Sequence, residues 1–173
     1  INYLGEQIEK QLVYNSKIKF IKEKKPLGTI GSVSKVKDFK NEYVLVTNSD
    51  LLTNIDYENF FLEFLKKDAD FAILTIPYEV SIPYGVIESL NGDVKSLKEK
   101  PKYTYYSNGG IYLMKREILN IIPKNKFYNT TDLIEKLIKN KSKIISIPFT
   151  GYWLDIGKPE DFEKAQKEVS LIN

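Results

Sequence analysis

Residues 43–46, Tyr-Val-Leu-Val, are unbroken apolar and β-prone text, and the run stops at Thr47-Asn48-Ser49-Asp50. A strand wet on one face alternates apolar with polar residues, so a run without alternation predicts a strand covered on both faces, as in a parallel sheet. Residues 56–67 then set Phe60, Phe61, Phe64 and Leu65 on one helical face, and residues 69–77, "ADFAILTIP", return to β text. Strand, helix, strand predicts a βαβ unit.

The remaining text extends that pattern. Leu4, Ile8 and Leu12 recur at helical spacing, predicting a short amphipathic helix over residues 3–13, with Glu6 and Lys10 exposed. Residues 18–23 alternate apolar residues with lysines and predict a strand, broken by Pro26, Gly28 and Gly31, after which a helix is expected. Asn91-Gly92 sits between two alternating runs, a strong hairpin signal that predicts an antiparallel element joining the sheet. Strands are predicted at 109–115 and 143–149, and a short helix before Pro123. A helix opening on Asp132 as N-cap, with Glu135 three residues on, and a last helix with Pro159 in its first turn complete the pattern. The class is α/β, mainly parallel with antiparallel additions.

Composition removes several function classes. The chain has no cysteine and no histidine, which excludes disulfides, thiolate metal sites, Ser-His triads and imidazole proton shuttles. Lys+Arg 26 against Asp+Glu 23 leaves +3, well interspersed, so no stripe for nucleic acid is present. No apolar run reaches the roughly 20 residues that span a bilayer, and the expected setting is the cytoplasm. At 173 residues and 42% hydrophobic, a single domain with a sizeable core is expected.

Two acids stand out. Asp50 ends the apolar run, and Asp155 lies between Leu154 and Ile156 beside the only tryptophan, Trp153, in text that reads as a buried strand end. A buried lone carboxylate is costly unless something positive meets it. In an open α/β sheet, ligands bind beyond the carboxyl ends of the strands. Asp50 and Asp155 converging there on one hard cation would account for both, since such cations take oxygen ligands. Asp50 alone reads equally well as a turn residue. Trp153 reads as a packing residue that orients the Asp155 loop.

Six segments, "KPLGTIGSV" (25–33), "VLVTNSDLLTNID" (44–56), "IPYGVIES" (82–89), "LKEKP" (97–101), "SNGGIYLMKREIL" (107–119) and "GYWLDIGKPEDF" (151–162), come in order. Their order and spacing over residues 1–165 resemble the sugar-phosphate nucleotidyltransferases, and most closely the bacterial guanylyltransferases acting on mannose-1-phosphate or glucosamine-1-phosphate. The resemblance implies a Rossmann-like (GT-A-like) mixed sheet, mostly parallel with a β-hairpin insertion. It also implies transfer of a nucleotidyl group from a nucleoside triphosphate, GTP favoured, to a sugar-1-phosphate with release of pyrophosphate.

By the same resemblance Asp50 and Asp155 would bind Mg2+, although this chain has Asn-Ser-Asp where Asn-Gly-Asp is common. Lys100 would neutralise the sugar phosphate, and Glu99 would accept hydrogen bonds from sugar hydroxyls. Tyr84, Gly85, Asn108 and Gly110 would line the sugar pocket, and Gly28 and Thr29 the nucleotide base. From spacing alone Lys100, among Lys95, Lys98 and Lys102, reads as part of a solvated edge, and Gly28, Gly85 and Gly110 as turn or strand-start glycines. The nucleophile would be a phosphate oxygen, largely ionised near neutrality because the second phosphate pKa is about 6. Such a reaction needs no histidine.

The sequence departs from the family at its start. The family's first strand, its Gly-rich phosphate loop and the helix after it have no counterpart here, so the expectation is one domain, residues 1–173, lacking its first βαβ segment and inactive on its own. Truncation is the favoured origin of that difference, with a separate N-terminal piece or pairing with a second copy as alternatives. A regulatory or assembly subunit without catalysis, or a metal-dependent glycosyltransferase, are the competing functions. The latter calls for an Asp-x-Asp pair, where this chain presents Asp50 alone.

Overall fold

Four consecutive residues, Ile111 to Met114, are between 0% and 4% exposed. A strand can bury that many neighbours in a row only if both its faces and both its edges are covered, and their strand is flanked on each side. The computed structural model describes residues 1–15 and 17–169. Its elements are α1 (Gly5–Leu12), β1 (Tyr43–Thr47), β2 (Leu51–Thr53), α2 (Tyr57–Lys66), β3 (Phe71–Ser81), β4 (Val86–Leu90), β5 (Asp93–Lys98), β6 (Lys102–Lys115), α3 (Thr130–Lys139), β7 (Ile144–Pro148), β8 (Trp153–Asp155) and α4 (Pro159–Glu168). Short 3₁₀ helices fill Gly31–Lys35 and Arg116–Ile121. The main sheet has the order β1-β6-β3-β7, while β2 with β8 and β4 with β5 make separate two-stranded sheets.

The chain divides into two compact units. One comprises Ile1–Asn48, Phe64–Ala72 and Tyr112–Ile145, the other Ser49–Glu63, Ile73–Ile111 and Ser146–Asn173. The first holds most of the fully buried side chains, among them Ile30, Phe64, Phe71, Met114, Leu133 and Leu137. Each such side chain contributes about 2–3 kcal/mol on leaving water. Tyr43 meets Phe64 edge to face, and Phe71 lies against Tyr112.

Several expectations change on contact with the structure. The unbroken run at 43–46 forms β1, but at one end of the sheet order, and Leu45 is 43% exposed. Burial on both faces belongs instead to β6 and to the start of β3, which have neighbours on either side. Residues 18–23 form no strand; their ladder bonds reduce to Ile1 donating to Ile21 and Glu23 donating to Ile1, because no described strand lies alongside. The Asn91-Gly92 hairpin forms with both turn residues at positive φ, 52° and 90°, as a two-residue turn of matching twist requires. Yet β4 and β5 pair only with each other and do not join the main sheet. Asp132 is not the N-cap of α3: Asn129 is, and Asp132 reaches back from the first turn to accept the Asn129 N–H at 2.8 Å.

One polar cluster fastens the first unit. The Asp70 carboxylate accepts the Lys115 ammonium at 2.8 Å and the Lys143 backbone N–H at 2.8 Å, and the Asp70 carbonyl accepts the Lys115 N–H at 3.0 Å. Both side chains are little more than a quarter exposed. The Lys115 hydrogen bond, followed by the Lys143 amide, holds the Asp70 carboxyl below its ordinary range. A depressed carboxyl contributes stability above its unfolded pKa and loses it as pH falls through the native value. Replacing Asp70 by Asn is therefore expected to lower unfolding free energy by about 1–2 kcal/mol at neutral pH. Urea melts of both proteins from pH 7 downward should converge only as pH falls below the ordinary carboxylate range, through the depressed native pKa of Asp70.

Candidate functional site

Asp50 and Asp155 are 105 positions apart in the chain, and a three-rung antiparallel ribbon brings them side by side. In that ribbon Leu51 pairs with Asp155, Leu52 with Leu154 and Thr53 with Trp153. The pairing continues past both ends: Ile156 donates its N–H to the Asp50 carbonyl at 2.8 Å, and Asn54 donates to the Tyr152 carbonyl at 3.2 Å. The Asn54 side chain in turn accepts the Tyr152 N–H at 2.8 Å. Asp155 thus belongs to a strand of its own rather than to the end of the 143–149 strand, and it and Asp50 are exposed rather than buried. The apolar neighbours that suggested burial, Leu154 and Ile156, are themselves only half-buried.

Gly157 shows how close the two acids are. A Cβ placed on Gly157 would lie 3.1 Å from Asp155 Oδ1 and 3.4 Å from Asp50 Oδ2. Both carboxylates therefore border one small space, and their oxygens are no farther apart than those two distances together. The Gly157 N–H donates to Asp155 Oδ1 at 2.9 Å, which fixes that carboxylate's direction. The donor set suits a hard divalent cation: two carboxylate oxygens on one gap, with room beside them. Among the described residues no group of three His, Cys, Asp or Glu is placed to cage a metal. Mg2+ fits two carboxylates better than a full cage, since it keeps waters and takes further ligands from substrate phosphates.

A second group gathers at the open end of the β4–β5 hairpin. Val86 pairs with Lys98, so the next residues outward, Gly85 and Glu99, face each other. A Cβ on Gly85 would come within 3.1 Å of Glu99 Oε2 and 3.2 Å of Leu97 Cδ1. The Ile82 N–H donates to the Pro101 carbonyl at 3.1 Å and closes the two segments on each other. Tyr84, Gly85, Glu99 and Lys100 are thereby drawn together. Lys100 holds φ at +45°, a left-handed backbone that costs a non-glycine residue on the order of 1–3 kcal/mol. Sequence patterning gives no sign of that strain.

The third group lies within β6. Gly109 is buried, and a side chain there would meet the Leu74 carbonyl at 2.9 Å. Gly110 adopts φ +71°, and its N–H is accepted by the Asn108 side chain at 3.0 Å. Asn108 and Gly110 thus sit in mid-strand, not at a strand start. Trp153 donates its indole N–H to the Gly109 carbonyl at 2.9 Å, so the strand carrying Asp155 is tied directly to this segment. Packing was the sequence expectation for Trp153; the hydrogen bond is what it could not show.

Gly28 and Thr29 belong to the other unit. Gly28 has φ +78°, and a Cβ there would stand 2.6 Å from the Tyr128 carbonyl, so glycine is required by packing. The Thr29 hydroxyl accepts the Thr130 N–H at 2.9 Å, and the Thr29 N–H is accepted by Asn129 at 3.2 Å. Thr29 thereby fastens the N-terminus of α3, a role that sequence reading missed because Asn129 lies 100 positions away.

A family model described as "Nucleotidyl transferase" matches residues 2–170. The chain is 31% identical to a D-glycero-alpha-D-manno-heptose 1-phosphate guanylyltransferase of Aneurinibacillus thermoaerophilus, across 85% of this chain and 65% of that protein. It is 31% identical to the Bifunctional protein GlmU of Methanocaldococcus jannaschii, across 96% of this chain and 41% of that protein. The chain thus spans less than two thirds of the length of these relatives. Among solved structures, HddC from Yersinia pseudotuberculosis superposes with a TM-score of 0.70 at 27% identity, covering 97% of this chain and 76% of HddC. HddC has also been solved complexed with GMP-PN. These comparisons make the chain a member of the nucleotidyl transferase family, related to the sugar-phosphate nucleotidyltransferases.

Proposed function

We propose that the full protein transfers a nucleotidyl group, guanylyl in preference to others, from a nucleoside triphosphate to a sugar-1-phosphate. The observation that carries this reading is the shared gap of Asp50 Oδ2 and Asp155 Oδ1 beside Gly157. Guanylyl is favoured because a heptose 1-phosphate and a mannose-1-phosphate guanylyltransferase are among the relatives and a neighbouring structure holds GMP-PN.

In this reading Asp50 and Asp155 hold one Mg2+, which when bound neutralises charge on the triphosphate. Lys100 meets the phosphate of the sugar-1-phosphate, and Glu99, against Gly85, accepts sugar hydroxyls. An oxygen of the sugar phosphate attacks the α-phosphorus; the bond from that phosphorus to the bridging oxygen breaks, and pyrophosphate leaves with the electron pair. No proton has to be removed from the nucleophile, so the absence of histidine is no obstacle. What the chain supplies is position and charge. Gly28 and Thr29, in this reading, present their loop to the base, while Thr29 also fastens α3. Because the chain spans less than two thirds of the length of its relatives, activity is assayed on the full-length gene product.

A pyrophosphate-release assay crossing the four nucleoside triphosphates with mannose-, glucose-, glucosamine- and heptose-1-phosphates should give its highest kcat/KM with GTP. Release with none of the pairs would overturn the reading. Changing Asp50 or Asp155 to Asn is expected to lower kcat by about 10²–10³, the usual scale for losing one charge-stabilising group. Changing Glu99 to Gln should instead raise KM for the sugar-1-phosphate about tenfold and leave KM for the triphosphate unchanged; an equal effect on both substrates would remove Glu99 from the sugar site.

A further inference from the structure

We propose that Gly157 is a positioning residue for the cation, and that its missing side chain is what leaves the gap between Asp50 and Asp155 open. The inference rests on the reading of those two acids as cation ligands. Gly157 has no backbone need to be glycine, since its φ is not among the positive values found in the chain. It is exposed, so no packed neighbour forbids a methyl group. Among the described residues, what a methyl group would meet is the pair of carboxylates: Asp155 Oδ1 at 3.1 Å and Asp50 Oδ2 at 3.4 Å. The first distance is shorter than an ordinary van der Waals approach, and Asp155 cannot swing freely because the Gly157 N–H holds the same oxygen at 2.9 Å. A methyl group would therefore stand where both acids face, displace water there and push one ligand off its direction. Glycine is the one residue that supplies the N–H that orients Asp155 while leaving its own side of the gap empty.

The probe is Mn2+ alone, whose free concentration is read by electron paramagnetic resonance during titration of the full-length protein. Wild type, Gly157→Ala, Asp50→Asn and Asp155→Asn are compared, and each is also melted in urea without metal. Gly157→Ala is expected to bind Mn2+ about 10–100-fold more weakly, the scale seen when groups that orient metal ligands are disturbed, with its metal-free midpoint unchanged. If Gly157→Ala binds like wild type while both Asn variants lose the metal, the role of Gly157 is wrong and the acids keep theirs. If both Asn variants bind like wild type, the cation reading of Asp50 and Asp155 falls. If the Ala variant loses metal and metal-free stability together, Gly157 serves the fold and the inference is overturned.

Discussion

The backbone pairing of β2 with β8 is the constraint from which the site follows. Opposite Leu51 stands Asp155, and the Ile156 N–H closes the next rung on the carbonyl of Asp50. With three rungs the ribbon is short, and an isolated two-stranded pairing is marginal in water. It is braced at one end by Asn54 and Tyr152 and on its flank by Trp153 bonded to Gly109. Tyr152 adds a further tie through its hydroxyl to Glu168 of α4, which burial and the carboxylate together push to a higher pKa.

Holding two carboxylates side by side on such a light frame is feasible because they are exposed. Two like charges about 4 Å apart repel by only about 1 kcal/mol in water, against several kcal/mol in a protein interior. A few backbone hydrogen bonds at about 1 kcal/mol each offset that. Burial, which the apolar neighbours of Asp155 suggest on paper, would have made the arrangement far more costly. In the proposed reaction the cost of desolvation would fall instead on the moment when substrates cover the gap.

How much of this could be read from the residues divides along physical lines. Local signals held: Asn91-Gly92 made its hairpin, Pro159 opened α4, and the phenylalanines of α2 at positions 60 and 64 are buried. The family and the pairing of Asp50 with Asp155 were legible because motif order carries them. What failed were statements about neighbours. Residues 18–23 alternate correctly but find no ladder, β1 is apolar throughout but stands at a sheet end, and the hairpin pairs with nothing beyond itself. Periodicity describes one strand's faces and is silent on who stands beside it. The same silence hid the N-cap Asn129 and the indole bond of Trp153, since each depends on a residue far off in the chain.

The two glycines beside the carboxylates of the proposed site make a related point about what glycine is for. Gly28 is required by its own backbone and by the Tyr128 carbonyl against it. Gly85 and Gly157 have no positive φ; a side chain would meet Glu99 and Leu97 at the first, and Asp155 with Asp50 at the second. In a fold position an absent side chain makes room for the protein's own backbone. At Gly157 it makes room beside two carboxylates and nothing else nearby among the described residues. On the proposed reading that space is for the cation, and this separates Gly157 from the glycines of the fold.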